Sequence, residues 1–426
     1  MTLTAGAVTP VLEAAGGAGG HSIAGFLLTL AAILVAAKLF GEVAERIGQP
    51  AVLGELLAGV VLGASALGVI PAAGPTAEII TILAELGVLV LLFEIGLETD
   101  LREMRKVGGS AISVAAVGVL LPFLAGYLFW SNVPHGMGDP DTLSTAAVFI
   151  GAALTATSVG ITARVLSDLS NLGSIEGRII IGAAVIDDVL GLVILTVVSG
   201  IAAGGSVSPY SVARILGVAV GFLVIAVAIG GWVAPRLFRS IANMKVSYAV
   251  PTIALAIAFA LAAVADLAGS AMIMGAFAAG IILARTEQYN AIEDRVKPVG
   301  ALLTPIFFVS VGSSLDINLL NPTRPGGGFL LLVALGLTVL AVVTKVAAGY
   351  ASPWKKFRRL AVGVGMVPRG EVGLIFADVG RRSGLLTDDV FSVVLLMVMG
   401  TTFVAPPLLK LLFRGQSTDV GAEHLL

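Results

Sequence analysis

The chain contains no cysteine. That excludes disulfides, thiolate metal sites and cysteine nucleophiles, and it leaves the redox compartment open. Histidine is nearly as scarce. His21, His135 and His424 are scattered, so no histidine-based metal cluster can be argued. Charge is thin as well: Asp, Glu, Lys and Arg make up 12% of the 426 residues, against about 25% in an ordinary soluble domain. The net charge of −2 gives no electrostatic case for nucleic acid. No Lys or Arg precedes the first apolar segment, so residues 1–21 read as a small-residue tail rather than a signal peptide.

What the chain has is hydrophobic length. It is 57% hydrophobic, with a mean hydropathy of +1.03. The fold class expected is an all-α polytopic membrane protein. Thirteen apolar spans are predicted, at 22–40, 50–69, 78–97, 109–130, 142–166, 177–200, 210–234, 247–265, 269–285, 298–314, 328–350, 359–380 and 388–412. With the N-terminus outside, the inner loops and span ends hold nineteen Lys and Arg and the outer ones four, with two more inside spans. That bias orients the chain with its C-terminus, residues 413–426, in the cytoplasm.

Two adjacent carboxylates, Asp187 and Asp188, sit in the middle of the sixth span. One ionisable group at mid-membrane depth costs roughly 2.5–3.5 kcal/mol on insertion scales, so an intramembrane acid implies a use. Adjacent helical residues lie about 100° apart, so the two cannot face one small pocket equally. One can line a cation site while the other faces a partner; the competing reading is a polar pair that locks helices together. Lys345 in span eleven lies roughly 15 Å of helix from the Lys355–Arg359 cluster. It either snorkels that distance, or sits neutral or paired with an aspartate.

Span twelve contains Val367-Pro368-Arg369-Gly370-Glu371-Val372-Gly373, and Pro with repeated Gly predicts an interruption. Arg369 and Glu371 flank it, as a clamp for the half-helix ends or, for Glu371, as a second carboxylate near an ion path. Span five carries Thr155, Thr157 and Ser158 among small residues. Their oxygens could complete the shell of a hard cation, or bond their own backbone. Spans five and twelve run in opposite directions. Broken helices at matching places of inverted repeats point to a transport site at the midplane. Glu94 and Glu98 read mostly as interfacial ion pairs near Arg102 and Arg105, and Asp266 and Asp316 as solvated.

The Asp187-Asp188 pair, the Pro368–Gly373 stretch, Gly54-Glu55-Leu56-Leu57-Ala58-Gly59, Leu92-Phe93-Glu94-Ile95-Gly96-Leu97-Glu98 and Gly275-Ala276-Phe277-Ala278-Ala279-Gly280 occur in order. Together they resemble the monovalent cation:proton antiporter-2 family over residues 22–412, most of all its thirteen-helix bacterial Na+/H+ antiporters of the NapA type. Potassium-efflux members usually carry Gln-Asp where this chain has Asp187-Asp188. The resemblance implies an NhaA-like antiporter fold of inverted repeats with two crossing discontinuous helices. It implies scaffold and dimerisation helices at 22–97 and 247–314, core helices at 109–200 and 328–412, and a linker at 210–234. By residue match, Asp188 would be the principal Na+ ligand, with Asp187 beside it and paired to Lys345. Thr157, with Ser158 and Thr155, would lie at the first crossing, and Arg369 and Glu371 at the second.

The expected function is Na+(Li+)/H+ antiport by an elevator-like core motion, proton and cation competing at Asp188 and Asp187. A K+/H+ antiporter, or a symporter of small organic anions, would use a related scaffold. The expected partners are a monovalent cation, a proton, the lipid bilayer of a bacterial inner membrane and a second copy of the chain. No enzymatic step and no cofactor are implied.

Overall fold

The computed structural model describes residues 23–99, 101–132, 143–202, 209–323 and 326–413. The expected tails at 1–21 and 414–426 lie outside them. The described residues form helices and connecting turns, with no strand among them. In chain order the helices are α1 (Ile23–Arg46), α2 (Ala51–Leu62), α3 (Pro75–Leu97), α4 (Leu101–Asn132), α5 (Leu143–Thr155) and α6 (Val159–Asp168). There follow α7 (Ile175–Ala202), α8 (Pro209–Ala242), α9 (Ala249–Leu267), α10 (Met272–Leu283) and α11 (Tyr289–Ser313). The last are α12 (Gly327–Ala348), α13 (Arg359–Gly365), α14 (Glu371–Arg382) and α15 (Asp388–Phe413).

Nine helices among the described residues are long and apolar enough to cross a membrane, counting Leu143–Asp168 across its interruption. The protein is an all-helical integral membrane protein. Several boundaries differ from the sequence expectation. The second span was expected to reach residue 69, but α2 stops at Leu62, where Gly63 leaves helical geometry and the chain turns through Ser65 to Gly68. At 12 residues it is about 18 Å long, short of a hydrocarbon layer of about 30 Å. Helix α10 has the same length. Helices α4 and α11 start earlier than expected, at Leu101 and Tyr289, because their polar first turns continue the helix beyond the apolar run. Pro298 and Pro305 lie within α11 without ending it.

Two interruptions appear where hydroxyls and Pro-Gly predicted them. Between α5 and α6 the chain leaves helical form at 156–158, and Ser158 is extended, with φ −84° and ψ 105°. Between α13 and α14 residues 367–370 are non-helical. Pro368 has no N–H to continue a helix and disfavours helical geometry at Val367.

Helix α4 packs on α5, α7 and α12, α12 on α15, and α14 on α5 and α15. On the other side α3 packs on α10 and α11, α2 on α1 and α11, and α10 on α9. Long α8 touches α7, α9 and α10. The helices on the α2–α11 side approach backbone to backbone. A Cβ on Gly312 would meet the Leu56 carbonyl, and one on Gly59 the Val309 carbonyl. Small residues of this kind drive helix association in membranes, where lipid removes the hydrophobic incentive.

Gly312→Val is therefore expected to lower stability by about 1–3 kcal/mol, the usual range for overpacking. Gly108→Ala, where an added Cβ meets nothing within 4 Å, should leave the melting temperature equal or higher. Thermal unfolding of both purified variants in detergent checks the contrast; equal melting points would contradict it.

Candidate functional site

The two interruptions meet. The Ser158 N–H donates to the Pro368 carbonyl at 2.8 Å. The Thr157 hydroxyl donates to the Met366 carbonyl at 3.3 Å, and Thr162 to the Gly365 carbonyl at 2.7 Å. From α15, Thr402 donates to the Arg369 carbonyl at 2.5 Å. Four backbone carbonyls freed by the second break thus find protein donors. Gly370 keeps the crossing close, since a Cβ there would lie 2.8 Å from the Ser158 side chain.

Helix α7 crosses beside these breaks and carries the two aspartates. Asp187 is 3% exposed and faces α12. Lys345 Nζ lies 3.4 Å from both of its carboxylate oxygens, with Lys345 itself fully buried. The lysine stem runs past Gly118 of α4, where an added Cβ would sit 3.6 Å from Nζ. The snorkelling alternative is thereby excluded, because the ammonium ends on an aspartate rather than at an interface. The Thr157 hydroxyl is also within hydrogen-bonding reach of Asp187. Arg369 is fully buried in the second break. Its Nη1 donates to the carbonyls of Met366 and Val367, while Nε and Nη2 make no hydrogen bond. Its charge acts on both Asp187 and Lys345.

Asp188 has different surroundings. It lines a cavity of about 510 Å³ that also includes Asp266. Thr81, Glu85, Asp266, Ser310, Ser314 and Phe307 line the same cavity. Asp187 does not line this cavity. A second, more polar cavity of about 560 Å³ adjoins it, shares Thr81, Ser310 and Ser314, and adds Ser65 and Asp316. Asp266 is thus part of a wall rather than merely solvated. Asp316 caps a short turn by accepting from the Asn318 N–H.

Thr155 turns back to its own helix, donating to the Ala152 carbonyl at 2.7 Å. The Ser158 hydroxyl is buried without a hydrogen-bond partner at the crossing. Helix α14 begins at Glu371, whose side chain lies outside those described. Two contributors were missed in the sequence, Thr162 and Thr402. The signal was faint: a hydroxyl one helical turn past Ser158, and a Thr401-Thr402 pair in an otherwise apolar span. Glu98 lies 3.9 Å from Lys297. One buried oxygen of Glu94 makes no hydrogen bond, and its carboxylate rests against Gly300 of α11.

Residues 26–415 match the family described as sodium/hydrogen exchanger, transmembrane. The chain belongs to that family. The exchanger is 40% identical to the high-affinity Na+/H+ antiporter NhaS3 of Synechocystis, over 94% of this chain and 92% of that one. It is 37% identical to the Na+/H+-K+ antiporter GerN of Bacillus cereus, over 93% and 99% of the two chains. The solved sodium–proton antiporter MjNhaP1 of Methanocaldococcus jannaschii shares its fold, with a TM-score of 0.66 at 20% identity, covering 92% of this chain and 99% of that one.

Removing one partner of a buried ion pair strands the other, at a cost of about 3–5 kcal/mol. Lys345→Met is therefore expected to lower the melting temperature sharply. Asp187→Asn combined with Lys345→Met should recover most of the loss, and thermal unfolding of the set in detergent measures it. A double variant as unstable as the sum of the singles would show that the pair is not a unit.

Proposed function

We propose that the exchanger is a secondary Na+/H+ antiporter in which proton and cation compete for Asp188. The observation that carries this reading is the asymmetry of the two aspartates. One carboxylate lines a cavity, while its neighbour is held by a buried lysine. A proton or a partly dehydrated Na+ can neutralise Asp188, and each excludes the other, so exchange needs no second binding site. The names of the relatives NhaS3 and GerN support the same chemistry. Asp187, Thr157 and Ser158 are assigned as further oxygen donors from the sequence, whereas Thr155 is occupied with its own backbone. Lys345 and Arg369 balance the two carboxylates, and Lys345 couples to the cation through Asp187. Glu371 is assigned to the same crossing from the sequence.

In this reading the thirteen apolar stretches form thirteen membrane segments of a bacterial inner membrane, α2 and α10 as short ones packed within the protein, the Asp266 face is outside and the C-terminus is cytoplasmic. Helices α4–α7 and α12–α15 form a moving core of inverted repeats. Helices α1–α3 and α9–α11 form the scaffold, with α8 between them. The exposed apolar row of α1, including Leu28, Val35, Leu39 and Val43, suits the interface of a homodimer. Na+ and H+ are cargo, and the reading calls for no cofactor and no enzymatic step. K+ is the alternative cargo, supported by the name of GerN. A small organic anion suits the cavity poorly, since Glu85, Asp188 and Asp266 line it.

In proteoliposomes with an imposed pH gradient, Na+ and Li+ are expected to dissipate the gradient, and Asp188→Asn to abolish the response. Solid-supported-membrane currents resolve whether net charge moves with each cycle. Exchange retained at the wild-type rate in Asp188→Asn would sink the site assignment. Dissipation by K+ at least equal to that by Na+ would transfer it to the alternative cargo.

A further inference from the structure

Away from the crossing, one ion pair ties together the ends of three helices that build it. Glu176 stands in the first turn of α7 and is 7% exposed. Its Oε1 accepts from the Arg358 N–H at 2.9 Å and lies 3.8 Å from Nε of the same residue. Arg358 is the N-cap of α13, where its own side chain makes no capping bond. The guanidinium turns instead to the end of α15. Its Nη1 donates to the Leu412 carbonyl, and the group lies over the Phe413 ring, 4.9 Å from its centre. The pair thus satisfies an N–H left open at the start of one helix and a carbonyl left open at the end of another. Acid and base each sit at the helix end that their charge suits.

Each of these helices leads to the crossing. Asp187 follows Glu176 by 11 residues of α7, about 16 Å of rise. Thr402, which donates to the Arg369 carbonyl, precedes Phe413 by 11 residues of α15. Helix α13 is only seven residues long, about 10 Å. It ends at Gly365, whose carbonyl accepts from Thr162, and the next carbonyl, of Met366, accepts from Thr157. Its flanks are held by close approach: a Cβ on Gly363 would meet the Val346 carbonyl of α12, and one on Gly365 the Ile180 side chain of α7. We propose that Glu176 and Arg358 are positioning residues for the ion site. The glycine contacts set how near α13 stands to its neighbours, and the pair sets how far along them it stands. A strut of two turns has little length in which to absorb a shift at its start, so the carbonyls at its end move with it. The pair thereby places the second break, with Thr157 and Arg369, against Asp187 and Asp188. Neither Glu176 nor Arg358 touches the ion. The inference rests on the reading of Asp188 as the exchange site.

The test separates positioning from plain stability. In proteoliposomes, the Na+ concentration for half-maximal exchange and the maximal rate are measured for Glu176→Ala and Arg358→Ala, beside thermal unfolding of the same preparations in detergent. Positioning predicts a half-saturating concentration raised several-fold in both. The double variant should be no worse than either single, because the two residues act as a unit. Glu176→Gln keeps an acceptor for the Arg358 N–H, and Arg358→Lys keeps the charge and the backbone donor, so each should shift half-saturation less. Gly312→Val, strained between α2 and α11, should lower the melting temperature with half-saturation unchanged. A lowered melting temperature with wild-type half-saturation in both alanine variants overturns the proposal. So does an equal shift in Gly312→Val, since the pair would then be a structural tie only. Should the alanine variants not fold, Glu176→Gln and Arg358→Lys carry the measurement: a smaller rise in the same direction supports the proposal, and no rise refutes it. Exchange abolished in Asp188→Asn with unshifted half-saturation in the alanine variants refutes the positioning role alone. Exchange surviving in Asp188→Asn with raised half-saturation in Glu176→Ala keeps the positioning pair and moves the ion site elsewhere at the crossing.

Discussion

A helix interrupted inside a hydrocarbon layer leaves N–H and C=O groups that only protein can satisfy. In this exchanger two such interruptions solve the problem for each other. Ser158 and Thr157 of the first donate to carbonyls of the second, while Thr162 and Thr402 supply the remaining donors. Arg369 reaches back to two more carbonyl contacts from within the loop. Neither break would be tolerable alone. Their contact also fixes where α7 can pass, and therefore where Asp187 and Asp188 stand.

The charges around the crossing follow from that placement. Two carboxylates next to each other on α7 face two buried cations, Lys345 and Arg369. Asp187 takes the lysine directly, which leaves Asp188 turned toward the cavity. On the proposed reading, the ion exchanged at Asp188 changes the charge felt by Lys345 through its own aspartate. The backbone crossing and the electrostatics are thus one arrangement. Loosening Gly370, whose missing Cβ admits Ser158, would disturb both.

Much of this was legible in the sequence, and unevenly so. The break in span twelve was plain because Pro368 and Gly370 carry local backbone constraints that need no tertiary context. The break in span five was fainter, since Thr155, Thr157 and Ser158 are compatible with helix, and the role of Thr157 and Ser158 shows only against the Met366 and Pro368 carbonyls of the second break. The value of Asp187 and Asp188 could be read from insertion cost. Which one faces Lys345 came only through the family resemblance, because a 100° step says that they differ, not how α7 is rotated. Thr402 escaped notice for the same reason: a threonine in an apolar helix has an internal partner available, and only the fold shows it turned to Arg369 instead. Glu94 was read as an interfacial ion pair, but the space beside Gly300 that receives it is a property of two helices together.

The hydroxyl-lined walls of the cavity bear on desolvation. Thr81, Ser310 and Ser314 belong to both cavities and offer hydroxyls to a hydrated cation along walls that are otherwise largely apolar. On the proposed reading the last waters are shed at Asp188, where Phe307 and apolar residues of α7 line the same cavity. Discrimination between cations of equal charge then becomes a matter of how readily each loses its final waters there, and the long approach contributes to arrival rate rather than to choice.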